Sequence, residues 1–321
     1  MQIKGWRLSA AFPFVNAAAG LSLLFAATAC GRQETPTETP DQAPVISGEI
    51  ELPAVWSTRP LQGKVRDVAL STGSGAVLAV AYDAGGLEFF DMEGDRLGEP
   101  TRFHLKDIAD GRATSIQGTQ LTIFPGVTQE GTLKAYVFGE GLVAPAQIDL
   151  PIPEERMVEG LCTGEAGTQG LMRVAYWTIS NNRLLRTGVI GQSGDELTWE
   201  EEAATEAGFP ITSCVFAYDT LVASPRSAAS ASLTRGDNSA LLSIEEGGPL
   251  QISTDLGMTT SAITVRDGIT VTAPDAPTAV SANGSLPAGG YPGGVVVIAG
   301  ETSEGTHQVV FVDPSAITLK D

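Results

Sequence analysis

Histidine is scarce in this chain, with only His104 and His307 among 321 residues. Two separated imidazoles leave very little room for a histidine metal cluster or a Ser-His-acid triad. Each is therefore interpreted as a polar strand residue. The sequence also has no G-x-S-x-G motif and no glycine-rich loop ending in lysine, which argues against a serine hydrolase of that type and against a P-loop nucleotide site.

Basic residues are also few. Lys and Arg total 19 against 38 Asp and Glu, which gives a formal net charge of -19, and no basic cluster interrupts the acidity. Nucleic acid is therefore excluded as an expected partner, because its phosphates need a basic surface. The same acidity repels multiply charged anions unless a cation lies between them and the protein.

Long apolar runs are missing after the first 29 residues. The run Val295 to Ala299 has the length of a strand, far short of the ~20 residues of a membrane helix. The 37 glycines and 19 prolines lie between short Val, Ile, Leu and Thr runs, which predicts many turns and an all-β fold. One short helix is expected at Glu196–Glu206, and loops at Ser224–Ser232 and Ala273–Gly294.

The first 29 residues have the pattern of a targeting segment. Lys4 and Arg7 precede the mostly apolar stretch Leu8–Phe25, and Ala27-Thr28-Ala29-Cys30 resembles a bacterial lipobox with Ala27 in place of the usual leucine. We expect residues 1–29 to be a lipoprotein signal peptide and Cys30 to carry the lipid. The alternative is an ordinary secretory signal cut near Ala29.

Residues 30–45 are rich in Thr, Pro and Glu, a composition typical of a solvated tether. The residue after Cys30 is Gly31, whereas an aspartate at this position retains some lipoproteins at the inner membrane. We therefore expect a protein of the cell envelope, anchored in the outer membrane and facing the periplasm, with one folded domain at 46–321. A monomer is expected.

Ala79–Glu99 has the clearest pattern of strands and turns in the folded region. Val80 and Tyr82 end one apolar run, Asp83–Gly86 suits a turn, and Leu87, Phe89 and Asp91 continue with period two. A second turn at Met92–Asp95 leads back through Arg96 and Leu97. Similar units recur along the chain after a first strand at Ile50–Trp56. Their spacing of about 40 to 50 residues is typical of a propeller, and a two-sheet sandwich is the alternative fold.

Two cysteines remain after Cys30. Cys162 in GLCTG and Cys214 in TSCVF fall at similar places in successive repeats. They form either a disulfide or two buried thiols, and both alternatives stay open at this stage.

Eight acidic residues are candidate ligands because calcium sites collect oxygens from several loops. The simpler interpretation is that most are solvated turn carboxylates, and for Asp91, Glu93 and Asp95 we adopt it. The eight are Asp67, Asp83, Glu88, Asp91, Glu93, Asp95, Glu159 and Glu301.

Four segments in order resemble the calcium-dependent β-propeller phytases and phytase-like proteins. They are GGLEFFDMEGDRL, VEGLCTG with RVAYWTISNNRLLR, TSCVFAYDTLVAS, and YPGGVVVIAGETSEGTHQVVFVDPSAI. The resemblance spans Val65 to Ile317. It implies a β-propeller, typically of six blades, with calcium ions that neutralise phytate and activate water for phosphate ester cleavage.

The family's catalytic positions are largely replaced here. Asp67 and Glu159 remain as candidate catalytic and metal residues, and Glu301 as a candidate metal ligand. A carboxylate and an arginine of the family are lost near Ser115–Gln117, and Glu-Gly-Cys becomes Thr212-Ser213-Cys214. Without bases to hold phosphates, transition-state charge has little to stabilise it.

The sequence therefore supports two hypotheses. The first is an envelope lipoprotein whose phytase-like propeller binds a small ligand or an envelope protein without catalysis. The second is a calcium-dependent 3-phytase or related phosphomonoesterase that hydrolyses phytate. Whether the protein is an enzyme is left open, and calcium is the only cofactor implied.

Overall fold

The computed structural model describes residues 46–72, 76–139, 141–153, 157–168, 170–257, 259–285, 291 and 293–319. Within them the regular structure is β-strand apart from one short 3-10 helix at Pro314–Ala316, so the all-β prediction is confirmed. No helix in these ranges is long and apolar enough to cross a membrane. The expected signal peptide, lipidated Cys30 and tether lie outside the described residues.

The strands follow one another as antiparallel meanders, each of which forms one blade. Blade 1 contains β2 (Val65–Thr72), β3 (Leu78–Tyr82), β4 (Leu87–Phe90) and β5 (Arg96–Thr101). Blade 2 contains β6 (Leu105–Ile108), β7 (Gly111–Ile116), β8 (Thr119–Thr128), β9 (Leu133–Gly139) and β10 (Ala146–Asp149). Blade 3 contains β11 (Val158–Gly164), β12 (Met172–Thr178), β13 (Asn181–Ser193) and β14 (Glu196–Glu206).

The second half of the chain forms three more blades. Blade 4 contains only β15 (Ser213–Ala217) and β16 (Thr220–Ser224) among the described residues. Blade 5 contains β17 (Ser227–Arg235), β18 (Asn238–Glu245), β19 (Leu250–Ser253) and β20 (Thr260–Arg266). Blade 6 contains β21 (Ala276–Asn283), β22 (Val295–Glu301), β23 (His307–Val312) and the end of β1 (Ile46–Ser57).

The first strand of every blade lies on the inside, and these inner strands form a closed ring. Strand β2 contacts β6 and β7, β6 contacts β11, and β15 lies between β11 and β17. Strand β21 contacts both β17 and β2, which completes the circle. The inner strand of blade 2 is split into β6 and β7 around Ala109 and Asp110. The molecule is therefore a six-bladed β-propeller, as the sequence predicted.

Strand β1 closes the ring. Its first part pairs in parallel with β20, with Ile50 opposite Ile263, and its end pairs antiparallel with β23, with Trp56 opposite Phe311. One strand therefore adds a fifth strand to blade 5 and completes blade 6. The predicted entering strand at Ile50–Trp56 is confirmed.

Apolar clusters fill the spaces between neighbouring blades, because each blade buries both of its faces. The cluster between blades 5 and 6 is large, whereas the one between blades 4 and 5 holds only Val215, Ala217 and Leu241 as buried members. Blade 4 also packs on blade 3 through a cluster that includes Trp177 and Phe216. In that cluster a disulfide joins Cys162 of β11 to Cys214 of β15, with Cα atoms 5.7 Å apart.

The hairpins of blade 1 agree with the sequence pattern. Ala81 lies opposite Leu87 across the turn at Asp83–Gly86. In the next turn the Asp91 carboxylate accepts hydrogen bonds from the backbone N–H groups of Glu93 and Asp95. Gly94 has φ +78° there, which a residue with a Cβ adopts only with strain. The carboxylate of Asp91 thus stabilises the turn.

Three local predictions were wrong. Glu196–Glu206 is strand β14, the outermost strand of blade 3, in which the alternation of Leu197 and Trp199 is followed by a run of exposed residues without alternation. Ser224–Ser232 contains the start of β17, and Ala273–Gly294 contains β21. Both are inner strands built from small residues, because the inner strands crowd together at the axis.

The disulfide generates a stability prediction. Replacing both Cys162 and Cys214 by alanine should lower the free energy of unfolding by about 2–4 kcal/mol, because the bond closes a long loop and secures the smallest blade. Chemical denaturation measures the change. A reductant should lower the stability of the wild type and leave that of the double variant unchanged. Two thiols labelled by alkylation in the unreduced, denatured wild type would contradict the bond.

Candidate functional site

A channel runs along the propeller axis and opens into a pocket at each end of the inner strands. The start-side pocket, about 590 Å³, is lined by the beginnings of the inner strands, including Asp67, Asp107 and Glu159. The end-side pocket, about 690 Å³, is lined by their ends, including Thr163, Ser232 and Asn283. Because all six blades contribute to the wall of the start-side pocket, it is the place where residues distant in sequence meet.

Two carboxylates of the start-side pocket connect blades 1, 2 and 3. Asp67 on β2 accepts hydrogen bonds from the N–H groups of Val68 at 2.9 Å and Ile108 of blade 2 at 3.0 Å. Asp107 accepts one from the N–H of Leu161 in blade 3 at 2.8 Å. Asp67 of blade 1 and Asp107 of blade 2 thus each accept a hydrogen bond from the backbone of the next blade.

The same two carboxyls are hydrogen-bonded to each other. Burial, and then the charge of Asp107, raises the pKa of Asp67 well above its usual value. Burial also raises the pKa of Asp107, against the lowering effect of its hydrogen bond to Asp67. Two adjacent carboxylates in such a place do not both ionise readily, so one proton is held between them at moderately acidic pH.

Asp110 lies deeper in the channel and connects blades 1, 2 and 6. Its carboxylate accepts hydrogen bonds from the N–H of Leu70 at 2.8 Å and from the hydroxyl of Ser281 at 2.7 Å. Its backbone carbonyl accepts one from the hydroxyl of Thr163 in blade 3. Burial raises the pKa of Asp110 to about 6, against the lowering effect of these hydrogen bonds.

The sequence candidates separate into two groups. Asp67 and Glu159 line the start-side pocket together, whereas exposed Glu301 at the end of β22 is not among the residues lining it. Glu159 forms an ion pair with Lys106 at 3.1 Å on the pocket wall. The remaining candidates Asp83, Glu88, Asp91, Glu93 and Asp95 also lie outside that lining.

Sequence reasoning missed Asp107 and Asp110. A signal was present, since Arg66-Asp67-Val68-Ala69 and Lys106-Asp107-Ile108-Ala109 repeat one pattern at the start of consecutive inner strands. A repeat of this kind indicates equivalent positions in consecutive blades. Glu159 is the acidic residue near the start of the third inner strand, β11.

The described residues do not fit the calcium cluster that the sequence resemblance implies. No group of three or more His, Cys, Asp or Glu side chains within them is arranged to hold a metal ion. Calcium takes six to eight oxygen ligands. The oxygens of Asp67 and Asp107 already accept hydrogen bonds from strand N–H groups, and Glu159 is paired with Lys106.

One polar group of the start-side pocket has no protein partner. Trp177 on β12 lines this pocket with 3% of its surface exposed, and its indole Nε1 makes no hydrogen bond among the described residues. Its ring lies over Gly160, where any Cβ would come within 2.5 Å of the ring and 2.9 Å of the Asp107 carboxylate. A buried N–H without a partner costs free energy, so it needs an explanation.

Comparison with known proteins found no matching family model and no matching curated protein. Among solved structures, the fucose-specific lectin from Aleuria aurantia (Hg-derivative form) is 12% identical with a TM-score of 0.49, and the match covers 78% of this chain and 92% of that one. Another structure of that fungal lectin, with a six-bladed β-propeller fold, is 11% identical with a TM-score of 0.45 and the same coverage, 78% and 92%. These likenesses are too low to indicate a function, and the propeller assignment depends on the strand order given above.

The buried Asp110 predicts how stability changes with pH. Its pKa of about 6 in the folded protein exceeds the usual carboxyl value. The folded state therefore holds the proton on Asp110 more tightly, so the contribution of this carboxyl to the free energy of unfolding should fall as pH rises from about 4 to about 6 and then level off, while the raised pKa values of Asp67 and Asp107 act in the same direction. Asp110→Asn keeps the oxygen acceptor and removes the charge. The variant should lose about 2 kcal/mol of this pH dependence, measured by denaturation between pH 4 and pH 7.5.

Asp95→Asn is the matched control. Asp95 is exposed and pairs with exposed Arg59, so this variant should keep the wild-type pH profile. An unchanged profile in Asp110→Asn would contradict the assignment of the effect to the channel carboxyl.

Proposed function

We propose that this protein is a ligand-binding β-propeller of the bacterial envelope and that its site is the start-side pocket. The observation that carries the proposal is the indole N–H of Trp177, which is buried beside the pocket without a partner among the described residues. The N–H has almost no surface open to solvent, so a ligand with a hydrogen-bond acceptor would satisfy it once binding shifts the indole ring. Small polar molecules therefore suit the pocket better than apolar ones.

The remaining chemistry of the pocket favours binding over catalysis. Cys162 and Cys214 are bonded to each other, and the hydroxyls of Ser213 and Ser230 are hydrogen-bonded to each other. The Ser281 hydroxyl donates to Asp110. These bonds hold different blades together, and the disulfide leaves no free thiol among the residues that line the pocket to act as a nucleophile.

The location is part of the same proposal. Lipid attached to Cys30 would anchor the chain, and the acidic, proline-containing residues 30–45 would hold the propeller away from the membrane. We place it at the outer membrane, facing the periplasm, as a monomer. An envelope protein that binds at the same pocket is the alternative to a small ligand.

The second candidate function is calcium-dependent hydrolysis of phytate by a phytase-like propeller. The observation in its favour is that Asp67 and Glu159, the two acids retained from the family pattern, line one pocket. Against it, Lys106 and Arg66 are the only cations among the residues that line this pocket, and Lys106 is paired with Glu159 while Arg66 is paired with Asp83.

The binding proposal is tested at Trp177. A panel of hexoses, amino acids, nucleosides and phytate should contain at least one compound that raises the melting temperature of the wild type. Trp177→Phe keeps an aromatic six-membered ring and removes the pyrrole ring with its N–H, so it should weaken binding of that compound about five- to tenfold, measured by calorimetry. Trp56→Phe is the control, because the N–H of Trp56 donates to the Glu93 carbonyl on the surface. Equal affinity in Trp177→Phe and wild type would contradict the site.

The second prediction separates the two functions. With phytate and calcium chloride, the binding proposal expects no release of phosphate and no calcium-dependent rise in melting temperature, because the described acids do not form a calcium site. Phosphate release that a chelator and Asp67→Asn both abolish would establish the hydrolase instead. Asp95→Asn, which changes an exposed carboxylate outside the pocket lining, controls for a general loss of charge.

A further inference from the structure

Blade 4 has two strands where the other five blades have at least four. Strand β16 pairs with β15 alone among the described residues, so its outer edge has no strand beside it. Its two faces are nevertheless packed, since Val222 lies against blade 5 and Leu221 and Ala223 lie against blade 3. The blade is therefore a stable strand pair that stops short of its full width.

The pairing register identifies which groups face the open edge. Ala217 and Thr220 flank a two-residue turn and form the first hydrogen-bonded pair of the hairpin. Hydrogen-bonded and non-bonded pairs alternate in an antiparallel ladder. Leu221 and Ala223 are in the non-bonded positions, so their backbone N–H and C=O groups point away from β15. This edge offers two donors and two acceptors at the spacing of a strand.

The edge also lacks the usual protection against pairing. Proteins blunt exposed edges with charged residues, proline or bulges. The outermost strand of blade 1, β5, carries Arg96, Glu99 and Pro100, and β14 of blade 3 is rich in glutamate. Strand β16 reads Thr-Leu-Val-Ala-Ser, without charge or proline. It is thus built like an interior strand although nothing in the described chain covers it.

The surroundings of this edge are acidic. In the sheet of blade 3, Val189 lies opposite Arg173 on one side and opposite Glu200 on the other. Glu200 is therefore on the same face of the sheet as Arg173, the face that meets blade 4, and Glu202 is on that face too. Arg173 is bound to Glu202 and stacks over Phe216 at 5.1 Å. At the hairpin tip, the charges of Asp237, Asp219 and Glu165 raise the pKa of exposed Tyr218. The arginines of this region are each paired with a carboxylate, Arg173 with Glu202, Arg112 with Glu165 and Arg226 with Glu245, so with Glu200, Asp219 and Asp237 the net charge around the open edge is negative.

We propose that the open edge of β16 binds an extended, basic segment of a partner protein as a third strand of blade 4. The backbone groups of Leu221 and Ala223 would supply the ladder, and the carboxylates around them would select Lys and Arg side chains. The fold already accepts a strand that is distant in sequence, since β1 joins blades 5 and 6 in this way. A second copy of this chain suits the edge poorly, because both copies would bring acidic walls together.

A displayed library of random eight-residue peptides, selected on the folded domain, tests the proposal. Selected peptides should be enriched in Lys and Arg alternating with β-branched residues. Ala223→Pro should weaken their binding at least tenfold, because proline removes the outward N–H and blocks the edge. Ala223→Val, which keeps the N–H, should bind as the wild type does. Thermal melting of both variants checks that they fold.

Hydrogen exchange on the wild type gives a second measurement that does not depend on a substitution. Bound peptide should slow exchange at the amides of Leu221 and Ala223. Selection of acidic or neutral peptides, of peptides indifferent to Ala223→Pro, or of none would overturn the proposal. So would concentration-dependent dimerisation that protects the same two amides, since the occupant would then be a second copy.

Discussion

The fold depends on carboxylates that accept hydrogen bonds across the gaps between inner strands. Inner strands of a propeller belong to different sheets, so ordinary ladders join them only briefly, as at Ser71 and Gly111. Asp67 and Asp107 supply the missing connection by binding the N–H groups of Ile108 and Leu161 in the next blade. An acid placed there stabilises the channel wall, at the cost of holding a proton that an exposed acid would release.

Apolar packing between blades is weakest at blade 4, which is also held by a disulfide. The cluster between blades 4 and 5 is the smallest of the six described between blades. On its other side blade 4 is held by the bond between Cys162 and Cys214. This covalent link holds blade 4 on the side facing blade 3, while its other side, facing blade 5, has the fewest buried apolar residues. The start-side pocket borders the same blade, so the proposed ligand site depends on that link as well.

The sequence predicted the fold where short apolar strands are separated by clear turn residues, even where both faces of the strand are buried. Blade 1 was predicted correctly because Leu87 and Phe89 recur with period two in a strand that has a turn on each side. Strand β14 was taken for a helix because its alternation ends at Trp199 and exposed acidic and small residues follow, and β21 was taken for a loop because inner strands need small residues. Family resemblance over most of the chain pointed to six blades, and the ring of inner strands agrees with that number.

The candidate site was less predictable. Asp67 and Glu159, which the sequence made candidate catalytic and metal residues, line one pocket, but the sequence could not show that Asp67 binds the backbone of another blade. The unpartnered N–H of Trp177 is also invisible in sequence, because it depends on what lies around the ring in three dimensions. For Glu301 the motif match was misleading, since it made this residue a candidate metal ligand and the structure places it outside that pocket.

Strand β1 also bears on the order of folding. Ile50 pairs with Ile263 and Trp56 pairs with Phe311, so β1 can be paired along its whole length only after nearly all of the domain has been synthesised. Blades 1 to 3 can form from local contacts, whereas closure must overcome the entropy of joining two distant parts of the chain. An unpaired β1 is then an exposed strand until the C-terminal hairpin arrives, so the interval before closure is when the chain is most open to aggregation and to chaperones.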